Sequence, residues 1–322
     1  MKTPMSNNHF NIDVTINNVN NKYINNSNLP LKVTILDLLH SIITVGKPDV
    51  YHIFRYNYYS IYDILFRIYL LMSSLNFTQK SNYINNSILF DNMDPSEKGA
   101  VNYFLGMTFS KLVASKIFNI KWLGHYSWYY HNGMVNNNSK SRSTADLIGL
   151  DVKNNEWAIF EAKGRNDHQY TSPLQKAIEQ AKGIKYYVNG KKCTICIGSV
   201  LYRDKSNKNI SIVLEDPEYD KESKIVNIER DARFWKEYYF YAIELHNLQS
   251  KIGKEKFSLK TGFNIYIEDI VIELYNSLPK IDKNREIPFP EPSISQDLIS
   301  QASKIDAFND GIEIKEADMP PL

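Results

Sequence analysis

Hydrophobic positions along this chain fall into helical spacings of three and four and into short strand-like runs. Ile35, Leu38, Leu39, Ile42 and Ile43 recur at helical spacing, and Gly46-Lys47-Pro48 predicts the stop. Asp49 to about Leu75 reads as a second, longer helix crowded with tyrosine, a face that packs on protein more often than it stacks on bases. Asp94-Pro95-Ser96-Glu97 predicts a helix start, with Asp94 as N-cap, Pro95 in the first turn and Glu97 in the reciprocal capping position. That helix runs to about Phe118, and Gly99 and Gly106 share a face suited to close approach to a sheet. Lys121–Tyr130 and Lys192–Tyr202 predict core strands and Ile210–Leu214 an edge strand, while Pro173–Tyr187 and Asp231–Leu248 predict helices. The Asn-rich first thirty residues read as weak strand or irregular structure. Phe263–Tyr275 reads as strand then helix, and the prolines and acids after Arg285 as an extended tail.

The most informative pattern lies between residues 144 and 165. Leu147-Ile148-Gly149-Leu150 and Trp157-Ala158-Ile159-Phe160 are apolar runs joined by the polar stretch Asp151 to Glu156, which predicts a β-hairpin. Asp146 opens the first run, and Glu161 and Lys163 close the second. Side chains alternate along a strand, so Glu161 and Lys163 share a face about 7 Å apart. A loop centred on Lys153-Asn154 sets Asp146 opposite Glu161, and one centred on Asn154-Asn155 sets it opposite Lys163. An odd loop centred on Asn154 places Asp146 on the other face unless a bulge compensates. The two even registers therefore gather two carboxylates and an ammonium on one side of a sheet. Trp157 to Phe160 is too apolar for a strand exposed on both faces, which makes a charged cluster at its end costly without a purpose.

Two hard oxygen ligands suit Mg²⁺ and a phosphate substrate, and a neighbouring lysine can stabilise phosphate charge or help deprotonate an attacking water. Asp146, fourteen intervening residues, then Glu161-Ala162-Lys163 resembles the PD-(D/E)XK nuclease superfamily, with Ala145 where that motif has proline. The resemblance implies an α/β protein with a restriction-endonuclease-like αβββαβ core and mixed central sheet spanning residues 94–280. Around it the reading places a mostly helical N-terminal extension (1–93), suited to substrate contact or dimer formation, a C-terminal helix, and an acidic tail (281–322). The resemblance further implies that Asp146, Glu161 and the Ala162 carbonyl hold Mg²⁺, or Mn²⁺ as its substitute, and that Lys163 acts on water or phosphate. Glu97 is carried over as a further carboxylate at that metal, although capping alone accounts for it. Gln180 is carried over as a residue near the scissile phosphate or a flanking base. The implied activity is nuclease cleavage of nucleic acid, double-stranded DNA by preference, in a role such as restriction or phage defence. The alternative is a nuclease fold that binds nucleic acid or protein without cutting.

Charge and composition adjust this picture in a few places. The formal net charge is only +2, but Lys163 to Lys208 holds ten Lys or Arg against three Asp or Glu. That basic stretch suits a polyanion. Lys140 and Arg142, in a polar loop ahead of Asp146, and Arg165, just after Lys163, are candidate phosphate contacts. His125 and His131 lack partners at ligand spacing and read as structural. The two cysteines, Cys193 and Cys196, sit in an apolar run and read as reduced core thiols of a cytoplasmic protein. No signal-peptide pattern, membrane-length apolar segment, Walker A loop or Gly-x-Ser-x-Gly elbow occurs.

Overall fold

The computed structural model describes residues 9–19, 27–45, 58–77, 82–126, 135–136, 145–151, 156–182, 184–188, 191–193, 195–216, 224–228, 233–261, 263–277 and 310–316. Its centre is a seven-stranded mixed sheet built from β1 (Phe10–Asn17), β2 (Ser27–Val33), β3 (Trp122–His125), β4 (Leu147–Asp151), β5 (Glu156–Gly164), β6 (Ile195–Arg203) and β7 (Ile210–Glu215). The strand order is β2-β1-β7-β6-β5-β4-β3. Strands β5 and β6 run parallel, as do β1 and β7, and the remaining neighbours are antiparallel.

Among the described residues five longer helices surround the sheet: α1 (Ile35–Val45), α2 (Tyr58–Ser74), α3 (Pro95–Phe118), α4 (Thr171–Lys182) and α5 (Arg233–Ile252). Helix α3 starts where Asp94 Oδ1 accepts from the N–H groups of Ser96 and Glu97, at 2.6 and 3.1 Å, while Glu97 Oε2 accepts from the Asp94 N–H at 3.1 Å. It covers one face of the sheet, with the Phe118 and Phe160 rings 6.0 Å apart and the Ser110 and Ser199 hydroxyls sharing a 2.8 Å hydrogen bond. Gly106 allows this close approach, since a Cβ there would lie 3.0 Å from the backbone of Lys163 and Gly164. Gly99 has open space around it, so the close approach is made at one of the two glycines only.

Helix α4 covers the opposite face. The missing Cβ of Gly198 points at Ala177 and Ile178, and Leu174 and Ile178 bury Val200 and Val213. From Pro95 to Arg203 the large elements thus follow the order helix, strand, hairpin, helix, strand.

Three expectations are corrected. The first thirty residues are not peripheral: Phe10, Ile12, Val14 and Ile16 are buried in β1, which pairs with β7 inside the sheet. Their period-two alternation was diluted by intervening Asn and Asp, and β1 and β2 join the central sheet, so this part of residues 1–93 does not stand outside it as a helical extension. Helix α4 ends at Lys182, and Ile184–Val188 forms a strand parallel to Lys224–Ile228, because its β-prone Ile, Tyr and Val favour pairing. Finally, Ile312–Glu316 is no free tail. It pairs antiparallel with Phe263–Ile267. Asp310, fully buried, accepts from the Tyr238 hydroxyl at 2.6 Å and lies 3.0 Å from His40 Nε2. A buried carboxylate with those partners ties the segment down.

Candidate active site

The hairpin β4–β5 decides where the chemistry sits. Leu147 pairs with Phe160 and Asp151 with Glu156, a register centred between Lys153 and Asn154. Continued by one residue, that register sets Asp146 opposite Glu161, the first of the two even arrangements read from the sequence. The turn residues 152–155 themselves lie outside the described residues.

Residue parity places the side chains on a definite face. Phe160 and Ser199 meet α3, whereas Gly198, the parallel partner of Glu161, faces α4. Glu161 and Lys163 therefore project on the α4 side, where Asp146 joins them at the end of β4. The contacts agree. Asp146 Oδ2 accepts from the Ala162 N–H at 2.9 Å, and Lys163 Nζ donates to Glu161 Oε1 at 2.5 Å. The N–H and C=O of one strand residue point to the same side of the strand, so the Ala162 carbonyl also aims toward Asp146.

Electrostatically the site is short of positive charge. Glu161 is 1% exposed, and its Oε2 has no hydrogen-bond partner among the described residues. Burial first, then the charge of Asp146, push the Glu161 carboxyl up to about 7, against the pull of Lys163. Burial also raises Asp146, with Lys163, the Ala162 N–H and a hydrogen bond from Glu161 pulling it back. Two buried carboxylates of raised proton affinity, Glu161 pushed further by the Asp146 charge and left with a buried oxygen that lacks a partner among the described residues, form a donor set that a divalent cation suits. Among the described residues no cluster of three or more His, Cys, Asp or Glu side chains is gathered, so the side-chain donors are these two acids.

The other candidates separate. Glu97 is engaged in the capping box, is exposed, and among the described residues interacts with none of the three. Nine residues at about 100° each put it on the opposite side of α3 from Gly106, which faces β5. Its assignment as a metal ligand is therefore corrected: capping is the role the fold gives it. Gln180 is half-buried on α4, in the layer over the Glu161 face, one turn past the Ala177–Ile178 pair that covers Gly198. Arg165 is exposed and reaches Asp167 at 3.5 Å. Lys140, Arg142 and His131 lie outside the described residues, and His125 is buried in the edge strand β3.

Two residues near the site were missed in the sequence. Tyr103 on α3 is 43% exposed, and burial followed by the charge of Asp146 pushes its hydroxyl up, with Arg67 acting against them. Arg203, buried at the end of β6, bonds Asn86 Oδ1 at 2.6 Å, the Arg165 carbonyl at 3.3 Å and Asn102 Oδ1 at 3.4 Å. It braces the backbone just beyond Lys163 against α3. No local motif marks either residue, since each owes its place to contacts distant in sequence.

No family model matches the chain, and no curated protein or solved structure is similar to it. Among the described residues no helix is long and apolar enough to cross a membrane.

Proposed function

We propose that the protein is a divalent-metal-dependent nuclease, with double-stranded DNA as the favoured substrate. The observation that carries the reading is the convergence of Asp146, Glu161 and Lys163 on one face, with Glu161 Oε2 buried and unsatisfied. The helix–strand–hairpin–helix–strand order around them, and the spacing from Asp146 to Glu161-Ala162-Lys163, support kinship with the PD-(D/E)XK nucleases.

Asp146, Glu161 and the Ala162 carbonyl would hold Mg²⁺ or Mn²⁺, which when bound supplies charge stabilisation to the phosphate and makes an attacking water more acidic. Lys163, which pairs with Glu161 in the metal-free chain, would donate to a non-bridging phosphate oxygen or orient the water. Gln180 lies on the covering helix layer as a candidate contact for the phosphate or a flanking base. Arg165, exposed beyond the strand end, is a candidate contact for the phosphate backbone. Buried Ile159, Phe160 and Ala162 fix the strand from which the Glu161 carboxylate projects.

The test is cleavage of plasmid and linear duplex DNA, with single-stranded DNA and RNA as comparison substrates, in Mg²⁺ and in Mn²⁺. Nicking or degradation that EDTA, Asp146→Asn and Lys163→Ala each abolish, with folding unchanged by circular dichroism, supports the proposal. Nucleic-acid binding without cleavage under any metal would overturn it in favour of a non-cutting relative of the nuclease fold.

A further inference from the structure

Among the described residues, α2, the first part of α3 and a short helix between them expose six large apolar side chains. Tyr62, Phe66 and Tyr69 recur on α2 at i, i+4 and i+7, within about 60° of one another around the axis. The Phe66 ring lies 6.2 Å from Phe104, which lies 5.4 Å from Tyr103 on α3. At the other end of α2, Ser87 donates through its hydroxyl to the Ser73 carbonyl and through its N–H to Ser74, seating the short helix Ile88–Asp91 there. Ile88 and Leu89 on that helix point outward. All six side chains are exposed, from 43% at Tyr103 to 82% at Ile88. Tyr62 and Tyr69 of α2, expected to pack on the rest of the chain, therefore face solvent in part.

At about 200 Å² for each large side chain, those exposures leave on the order of 700 Å² of accessible surface. The largest apolar patch on an ordinary monomer is roughly 300–600 Å², whereas one side of a standard protein interface buries about 800 Å². The charges nearby decide what kind of partner fits. Asp91, Asp94 and Glu97 stand against Lys98 beside Ile88 and Leu89, and Asp63 and Arg67 pair with each other at 3.0 Å. A polyanion would meet net negative charge at that end. An aromatic centre with a mixed polar rim has the anatomy of a protein–protein contact. Around a two-fold axis the face meets itself with no like charges opposed at its centre. We propose that this face is the contact surface for a second copy of the same chain, formed along α2 and the Ile88–Asp91 helix. It is independent of the nuclease reading.

Sedimentation velocity on the full chain across a concentration series tests it. The expected result is a reversible shift to twice the chain mass, with a dissociation constant on the order of micromolar. Phe66→Glu should weaken association by about tenfold or more, while Lys176→Glu, exposed on α4, should leave it unchanged. If Phe66→Glu does not fold, Ile88→Glu carries the test from the most exposed position. A wild-type chain that stays monomeric up to about 100 μM, well above such a constant, overturns the proposal. So does a dimer insensitive to both variants. A monomer that binds a single-stranded oligonucleotide, and loses it with Phe66→Glu, also overturns it and gives the face to nucleobases.

Discussion

Replacing Glu161 with glutamine should stabilise the metal-free protein at pH 8 and leave it nearly unchanged at pH 5. The Glu161 carboxyl titrates at about 7 in the folded chain, against an ordinary 4.5, because burial and then the Asp146 charge oppose its ionisation. An acid with a raised folded pKa keeps an extra proton in the folded state between those two values. Stability therefore falls as pH rises through that window, and the loss is complete above about 7. Roughly 2.5 pH units at about 1.4 kcal/mol each amounts to about 3 kcal/mol. Glutamine removes that cost, in which the attraction of Lys163 is already counted. The net gain at pH 8 is then about 3 kcal/mol, a rise of several degrees in Tm for a chain of this size. At pH 5 the wild-type carboxyl is itself protonated and the two proteins converge. Differential scanning calorimetry in EDTA at both pH values checks this. A variant less stable than wild type at pH 8, or shifted equally at both pH values, would refute the idea that ionising Glu161 opposes folding.

Three further outcomes follow from the packing and the charges. Gly164→Ala drives a Cβ to 1.9 Å from the Asn102 carbonyl oxygen and should cost about 3 kcal/mol or more in urea denaturation, whereas Gly99→Ala meets nothing within 4 Å and should stabilise by about 0.5–1 kcal/mol. Asp310→Asn removes a buried charge that His40 and the Tyr238 hydroxyl partner, and should destabilise by roughly 2–4 kcal/mol, read by chemical denaturation. Cation affinity should fall as pH drops below about 7, by up to about tenfold per unit, because the proton on Glu161 competes with the metal; calorimetric titration at several pH values reads the slope.

How much of this was legible in the sequence depended on whether the signal was local. The capping box at Asp94–Glu97, the helix to Phe118 and the β4–β5 hairpin are written in adjacent residues, and the structure shows each of them. The register that gathers Asp146 with Glu161 followed from counting residues across the turn. Glu97 was over-read because its capping geometry and a ligand role share one sequence position, and only the angle around α3 separates them. The first strand was under-read because Asn11, Asp13 and Asn17 dilute a pattern whose apolar half is buried. Asp310 looked like part of a solvated acidic tail. Its burial depends on His40 and Tyr238, far away in the chain, and no local composition reports such partners.

The central claim is that Asp146 and Glu161 close on a single divalent ion, and Mn²⁺ binding followed by electron paramagnetic resonance at pH 8 tests it most directly. The expected result is one saturable Mn²⁺ site that Mg²⁺ displaces and that Asp146→Asn and Glu161→Gln each weaken by about tenfold or more while the fold persists. Binding of equal strength in wild type and both variants, or no binding by the folded wild-type chain, would contradict it.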